Sequence, residues 1–272
     1  MGNSKILILI AVLASFAGCK KEEPTPDLSR TLEFSSLTGE RVYILEDTAP
    51  IFGTDEDVAF RDSASVLMPE VLFGHDISEL RDHIQSMAFD TVCSEPSVAM
   101  ASFFYKAAEE LGYQVVENDS VDVSDDSMMG FCNVQGDIYS LTDKRLTYRV
   151  ALYTYNPGAA HGMYTLNYLT YDLRKGQIIT LEDLFTPAGL EKLPAMIARR
   201  ASRMISQLGP THIDSLPTDG NFYISLDDEI VFVYQPYEVA SYAQGVICVP
   251  FYPYDLTEYL TPLALNLFSL TE

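Results

Sequence analysis

Three features of the chain predict an α+β fold of mainly antiparallel sheets, with helices packed on one face and two lobes. Two helical stretches between residues 77 and 112 follow one another with no strand between them. Four segments between 138 and 180 then alternate or run apolar between turn signals, and a helix followed by three strands closes the chain. Strands and helices therefore occur in separate runs, the pattern of an α+β layer rather than of βαβ units.

The elements follow in order. Thr31 to Leu37 and Arg41 to Glu46 flank Thr38-Gly39-Glu40, which predicts a first hairpin. Val66 to Phe73 reads as a strand whose Pro69, lacking an N–H, requires an edge position or a bulge. Behind Asp76, an N-cap candidate, Ile77, Leu80, Ile84, Met87 and Ala88 recur at helical spacing and predict an amphipathic helix. Pro96 opens a second helix at a position where its missing N–H costs nothing, and Gly112 ends it.

Ile138 to Leu141, Arg145 to Tyr155, Met163 to Leu173 and Gln177 to Thr180 predict an antiparallel meander, with Arg174-Lys175-Gly176 as one turn. Leu190, Leu193, Ile197, Met204, Ile205 and Leu208 mark a helix that Pro194 breaks or kinks and Gly209-Pro210 ends. Phe222 to Leu226 and Ile230 to Tyr234 enclose Asp227-Asp228-Glu229 as a hairpin. Gly245 to Phe251 supplies a last strand, and Asp255 to Leu260 a short helix. The two lobes divide as 31–155 and 156–272.

The first 18 residues form a lipoprotein signal. Met1 to Lys5 is a charged n-region, Ile6 to Ala17 an apolar stretch broken only by Ser15, and Phe16-Ala17-Gly18-Cys19 resembles a lipobox. Such signals are cleaved before the cysteine, so Cys19 is the expected lipid attachment point, where multiple acyl chains give stable anchoring. The apolar stretch is too short to span a bilayer comfortably. Residues 19–30 contain Lys20-Lys21-Glu22-Glu23 and two prolines and read as an extended tether. The lysine-then-acid pattern resembles signals that send lipoproteins to the outer membrane, so the expected location is the cell envelope, periplasmic or surface-exposed.

The whole chain carries a formal charge of −22, and removing residues 1–18 takes away one positive charge more. That surface repels nucleic acid and anionic lipid, which excludes nucleic-acid binding, and attracts cationic partners at low salt. Acidity of this kind also serves solubility alone. After Cys19 three cysteines remain, and an odd count cannot pair completely within the chain. Cys93 with Cys132 is the expected bridge, because Cys248 sits in an apolar run where buried free thiols are common.

Four residues stand out as ligand-binding candidates. His161 lies between Gly158 and Gly162, which let backbone approach closely, although a histidine there also serves to tie a loop to a strand. Tyr234, Tyr237 and Glu238, around Pro236, form a polar aromatic turn able to line a groove. With 17 tyrosines and no tryptophan, half-burial in a sheet is the ordinary role of such rings. Glu79 and His83 share a helix face without a third metal ligand. Asp122, Asp125 and Asp126 lack the glycine and terminal glutamate of a calcium loop. Lys192, Arg199, Arg200 and Arg203 are the densest basic cluster, suited to a helix end or to an anion.

No nucleophile elbow, phosphate loop, dinucleotide fingerprint or paired Cys-x-x-Cys occurs, so no cofactor and no metal are expected. These absences weigh against an enzyme, while the separation of paired carboxylates for glycoside hydrolysis is set by the three-dimensional fold.

From Asn156 to Tyr259 the chain resembles the extracellular domain of RsiV-like anti-sigma factors, a family best known for binding lysozyme. The landmarks are Gly158-Ala159-Ala160-His161-Gly162, Asp172-Leu173 with Gly176, and Leu181-Glu182-Asp183-Leu184-Phe185. Asn221-Phe222 and Tyr234-Gln235-Pro236-Tyr237-Glu238-Val239-Ala240 before Gly245 complete the series. Residues 66–152 resemble, more weakly, the companion domain found upstream. The chain departs from those sensors in having no sigma-binding segment and no transmembrane helix. The resemblance therefore implies a non-enzymatic binding ectodomain, with a basic protein such as lysozyme as the concrete partner. The alternative is an enzyme or enzyme accessory acting on peptidoglycan or another envelope glycan, because related domains accompany deacetylases.

Overall fold

The computed structural model describes residues 5–6, 31–45, 58–106, 115–117, 129–205, 216–218 and 221–270. Cys19, the tether, Gly112, the Asp122 to Asp126 segment and Gly209-Pro210 lie outside them. The α+β fold expected from the sequence is borne out. A sheet of eight strands comprises β1 (Lys5–Ile6), which cleavage before Cys19 would remove, β2 (Leu32–Leu45), β3 (Val58–Leu72), β4 (Val115–Glu117), β5 (Met129–Leu141), β6 (Arg145–Tyr155), β7 (Met163–Asp172) and β8 (Gln177–Ile178). Its order is β1-β2-β3-β5-β6-β7-β8, with β4 also paired to β2.

Every pairing in this sheet is antiparallel except that of β3 with β5. Parallel neighbours need a long crossover, and α1 (Ser78–Phe89) and α2 (Pro96–Phe103) lie within it. That crossover puts both helices on one face. Leu80, Ile84, Phe89, Ala99 and Met100 pack there on Val66, Met68, Val134, Tyr148 and Val150, forming the first core. Each Leu, Ile, Val, Phe or Met among them contributes about 1.5–3 kcal/mol by leaving water.

The expected hairpin at Thr38-Gly39-Glu40 does not exist, because β2 runs through it without a turn. A Cβ on Gly39 would stand 2.8 Å from Met100 Cε, so the glycine serves close approach of α2 to the strand. Pro69 does sit at a bulge: Phe34 pairs with Pro69 and Glu33 with Val71, leaving Glu70 over. Arg81 of α1 holds that bulge by donating to the Pro69 carbonyl at 2.7 Å and to Glu70 at 2.9 Å. The Asp76 carboxylate accepts from Ser78 N at 3.0 Å, although Ile77 occupies the capping position.

Beyond residue 156 the chain first completes the large sheet with β7 and β8, then builds a second layer. This comprises α3 (Leu181–Leu184), α4 (Pro187–Ile205), α5 (Pro262–Leu267) and a sheet of order β11-β10-β9. Its strands are β9 (Asn221–Ile224), β10 (Ile230–Tyr234) and β11 (Ile247–Phe251). Thr180 caps α3 through a reciprocal box with Asp183. α4 continues through Pro194 rather than breaking there, and its Leu193, Ile197, Ala201 and Ile205 pack on Ile224, Phe232, Val249 and Phe251. Arg200 and Lys192 lie over the rings of Phe251 and Tyr259, which places these members of the basic cluster against aromatic surface.

The two layers are joined by polar contacts, one part-buried and one buried. Arg145, 5% exposed, pairs with Asp228 at the β9–β10 turn. Thr147 donates to the Ile224 carbonyl at 2.9 Å. The expected bridge between Cys93 and Cys132 is absent: both are free thiols, as is Cys248. Cys132 faces inward on β5, in register with the buried Asp62, and burial with that carboxylate pushes its thiol up to about 12. No described helix is long and apolar enough to cross a membrane.

Candidate functional site

Two loops that lie about 80 residues apart in sequence meet at the surface beside the end of β7. His161, exposed in the loop before β7, stacks flat on Tyr242 with ring centroids 3.7 Å apart and planes at 14°. Tyr242 belongs to a single 3-10 turn, Tyr242–Gln244, whose start is closed by Ser241 and Gln244 bonding reciprocally. Gly245 ends that turn at φ +68°, a conformation few side chains accept.

The Gly162 carbonyl organises the pair. It accepts from Tyr242 Oη at 2.7 Å and from His161 Nδ1 at 3.0 Å. A carbonyl only accepts, so Nδ1 is the donor of that bond, and the other ring nitrogen, Nε2, faces Tyr237. Tyr237 Oη lies 3.3 Å from that nitrogen. Desolvation, reinforced by Tyr153, Tyr164 and Tyr237, raises the Tyr242 pKa and keeps its hydroxyl protonated as a donor.

Tyr237 is presented by a strained turn. Gln235 O accepts from Glu238 N at 3.1 Å, with Pro236 and Tyr237 between them. Tyr237 has φ +70°, where such a turn normally carries glycine. A bulky residue there costs on the order of 1–3 kcal/mol and persists only where neighbours enforce it. The enforcement is visible. Glu238 accepts from Gln235 N at 2.7 Å, and the Gln235 amide bonds both Leu166 N and Leu166 O on β7 at 2.9 Å. Asn221 similarly accepts from Tyr168 N at 2.7 Å and donates to Leu166 O. The two amides thus serve the edge of β7 as a partner strand would. The result is a Tyr237 ring left 59% exposed beside His161.

Of the four residues singled out in sequence, His161 and Tyr237 come together, and Glu238 fixes the turn from its exposed side. Tyr234 does not join them. It is 3% exposed, packs in the second core and donates its hydroxyl to the Pro217 carbonyl at 3.0 Å. Tyr242, the centre of the stack, went unnoticed in sequence. Its signal was a tyrosine followed three residues later by Gly245.

Behind the Gln235 turn lies a cleft of about 670 Å³ bounded by His83 and Met87 of α1, Tyr168, Glu182, Asn221 and Glu238. His83 bonds the Glu79 carbonyl at 3.1 Å rather than sharing a ligand with its side chain. Among the described residues no group of three His, Cys, Asp or Glu side chains is placed to hold a metal. Among the described residues, the hydrogen-bond partners of His161 are the Gly162 carbonyl and Tyr237, and neither is a carboxylate.

Residues 182–252 match the model of a family described as protein of unknown function, DUF3298, so the chain carries a DUF3298 domain. The matched stretch holds Tyr237 and Tyr242 but not His161. The crystal structure of a DUF3298 family member from Bacteroides fragilis NCTC 9343 is similar, with a TM-score of 0.61 and 18% identity, over 87% of this chain and 96% of that one. A DUF3298 family protein from Pseudomonas aeruginosa PAO1 gives a TM-score of 0.56 and 14% identity, over 87% and 98%. At these identities the likeness is one of fold. No curated protein matches the chain.

Proposed function

We propose that the chain is a cell-envelope lipoprotein whose RsiV-like folded part binds a basic protein such as lysozyme and performs no chemistry itself. The carrying observation is the ledge of His161, Tyr237 and Tyr242, in which a strained backbone is held so that an aromatic ring stays in solvent. Strain maintained by surrounding bonds is a mark of functional positions, and exposed tyrosine is a common anchor of protein interfaces. The charge of −22 supplies attraction for a cationic partner and a fast encounter at low salt. The lipobox at Cys19 supports export to the envelope, lipid anchoring and an outer-membrane location.

The alternative, an enzyme or accessory acting on envelope glycan, calls for a carboxylate beside His161 to orient it as a base. The ring nitrogens are engaged by the Gly162 carbonyl and by Tyr237 instead.

Titration calorimetry of the purified protein with hen egg-white lysozyme, at low and at physiological salt, tests the proposal. A saturable heat that weakens with salt supports it. No heat at either salt removes lysozyme as the partner.

A further inference from the structure

The face of the large sheet turned away from α1 and α2 carries an unusual set of side chains. Residues of β3, β5 and β6 alternate, and those pointing away from the helices include Ser63, Phe131, Asn133, Gln135, Tyr153 and Tyr155, with Ala59, Leu67 and Ala151 among them. Register places Ser63 beside Asn133, Asn133 beside Tyr153, and Tyr153 beside Tyr164, forming one row across four strands. At the normal strand spacing that row is roughly 15 Å long. It ends at the ledge, where Tyr164 meets Tyr242 edge-on with centroids 6.2 Å apart. In the next row Phe131 lies 5.3 Å from Tyr153 and 5.6 Å from Tyr155. Phe131, Tyr153 and Tyr155 belong to none of the buried clusters.

We infer that this face binds an uncharged polysaccharide chain laid across the strands toward the ledge. Three properties point to that ligand. First, rings side by side offer flat apolar surfaces on which the C–H faces of successive pyranose rings pack. Second, Asn133 and Gln135 each carry a donor and an acceptor, the combination that neighbouring hydroxyl or acetamido groups require. Asn133 is already held in place by donating to Ser63 Oγ at 2.8 Å. A trough of about 410 Å³ opens between Arg61, Phe131 and Asn133.

The third property is charge. Arg61 pairs with Glu40 at 3.4 Å and Arg149 with Asp137 at 2.7 Å, so the ions bordering this face cancel. In a chain of −22 that neutrality is local. A cationic protein gains little here that it does not gain elsewhere, and a polyanion meets no free positive field. A neutral polyhydroxylated chain needs neither. The site adjoins the protein-binding ledge proposed above through Tyr153 and Tyr164, but neither reading requires the other.

Titration calorimetry reads binding to this face without relying on emission from the chain's 17 tyrosines. The full chain is titrated with chitotetraose, cellotetraose and maltotetraose, with a sulfated oligosaccharide for comparison. The expected result is saturable binding of at least one neutral tetrasaccharide. Tyr153→Ala and Phe131→Ala then weaken it about tenfold, equivalent to ~1.4 kcal/mol, and Tyr153→Phe retains it. Tyr254→Ala, an exposed ring on the other layer, leaves it unchanged. Circular dichroism confirms folding of each variant, and the exposed Gln135→Ala carries the test if a ring variant misfolds. Absence of binding by all three neutral chains overturns the inference. Binding of the sulfated chain alone, or equal loss in Tyr254→Ala, does so as well. Tyr237→Ala separates this outcome from the lysozyme reading, since it removes an anchor of the ledge and none of the sheet face.

Discussion

The imidazole of His161 lies on the ring of Tyr242 at 3.7 Å, and the same Gly162 carbonyl accepts a hydrogen bond from each. Stack and shared acceptor together fix the loop before β7 against the loop after β10. Tyr237 then projects from a platform whose geometry exists before any partner arrives, which limits the ordering cost of binding.

Truncating that projecting ring is the first test. Tyr237→Ala is expected to weaken lysozyme binding by about 1–2 kcal/mol, the scale of an interface tyrosine. Its thermal midpoint should change little, because Tyr237 is 59% exposed and its removal leaves the core intact. Calorimetric titration paired with thermal unfolding separates the two effects.

The amide of Gln235 carries a different burden. Gln235→Ala leaves Leu166 N without its 2.9 Å acceptor on the edge of β7, at a cost of about 1–3 kcal/mol. Urea unfolding measures the loss. Since the same amide anchors the Tyr237 turn, binding should also weaken, and Gln235→Glu, which keeps one acceptor, should recover part of the stability.

Asp62 provides a pH test. It is 1% exposed, with Tyr43 Oη and Tyr105 N bonded to Oδ2 and, among the described residues, no partner for Oδ1. Burial raises its pKa from 3.8 by more than the bonds from Tyr105 and Tyr43 lower it. The folded state therefore holds this proton more tightly than the unfolded chain. The stability it contributes is complete below pH 3.8 and is lost as pH climbs through the raised folded value. Asp62→Asn has no such loss. Thermal midpoints measured from pH 4 to 8 should show the variant gaining on the native protein as pH rises, whereas a constant difference would refute the account.

Thiol chemistry checks the free cysteines. Cys132 is 8% exposed with its pKa pushed up to about 12, so at pH 8 it is both shielded and protonated. Alkylation of the native protein should reach half-buried Cys93 first and Cys132 only on unfolding, as read by peptide mass spectrometry. A Cys93–Cys132 disulfide in the isolated protein would contradict the structure.

Much of the fold was legible because the meander segments alternate or run apolar between clear turn signals. Arg145 to Tyr155 and the hairpin around Asp227-Asp228-Glu229 lie where their patterns put them. Gly39 misled because a glycine needed for close helix approach looks, in sequence, like a glycine needed for a turn. Tyr234 misled for another reason. All five residues of β10 are buried, so alternation could not separate an inward ring from an outward one. The ledge itself was half legible, since its glycine-flanked histidine and its tyrosine turn are local features. Their meeting through Tyr242 depends on packing between segments distant in the chain, which no local pattern records.

Hydrogen exchange on the lysozyme complex tests the central claim most directly. Slower exchange confined to residues 158–164 and 235–245, and its loss in Tyr237→Ala, is the result this account predicts. A complex that protects other segments and leaves both loops exchanging as in the free protein would contradict it.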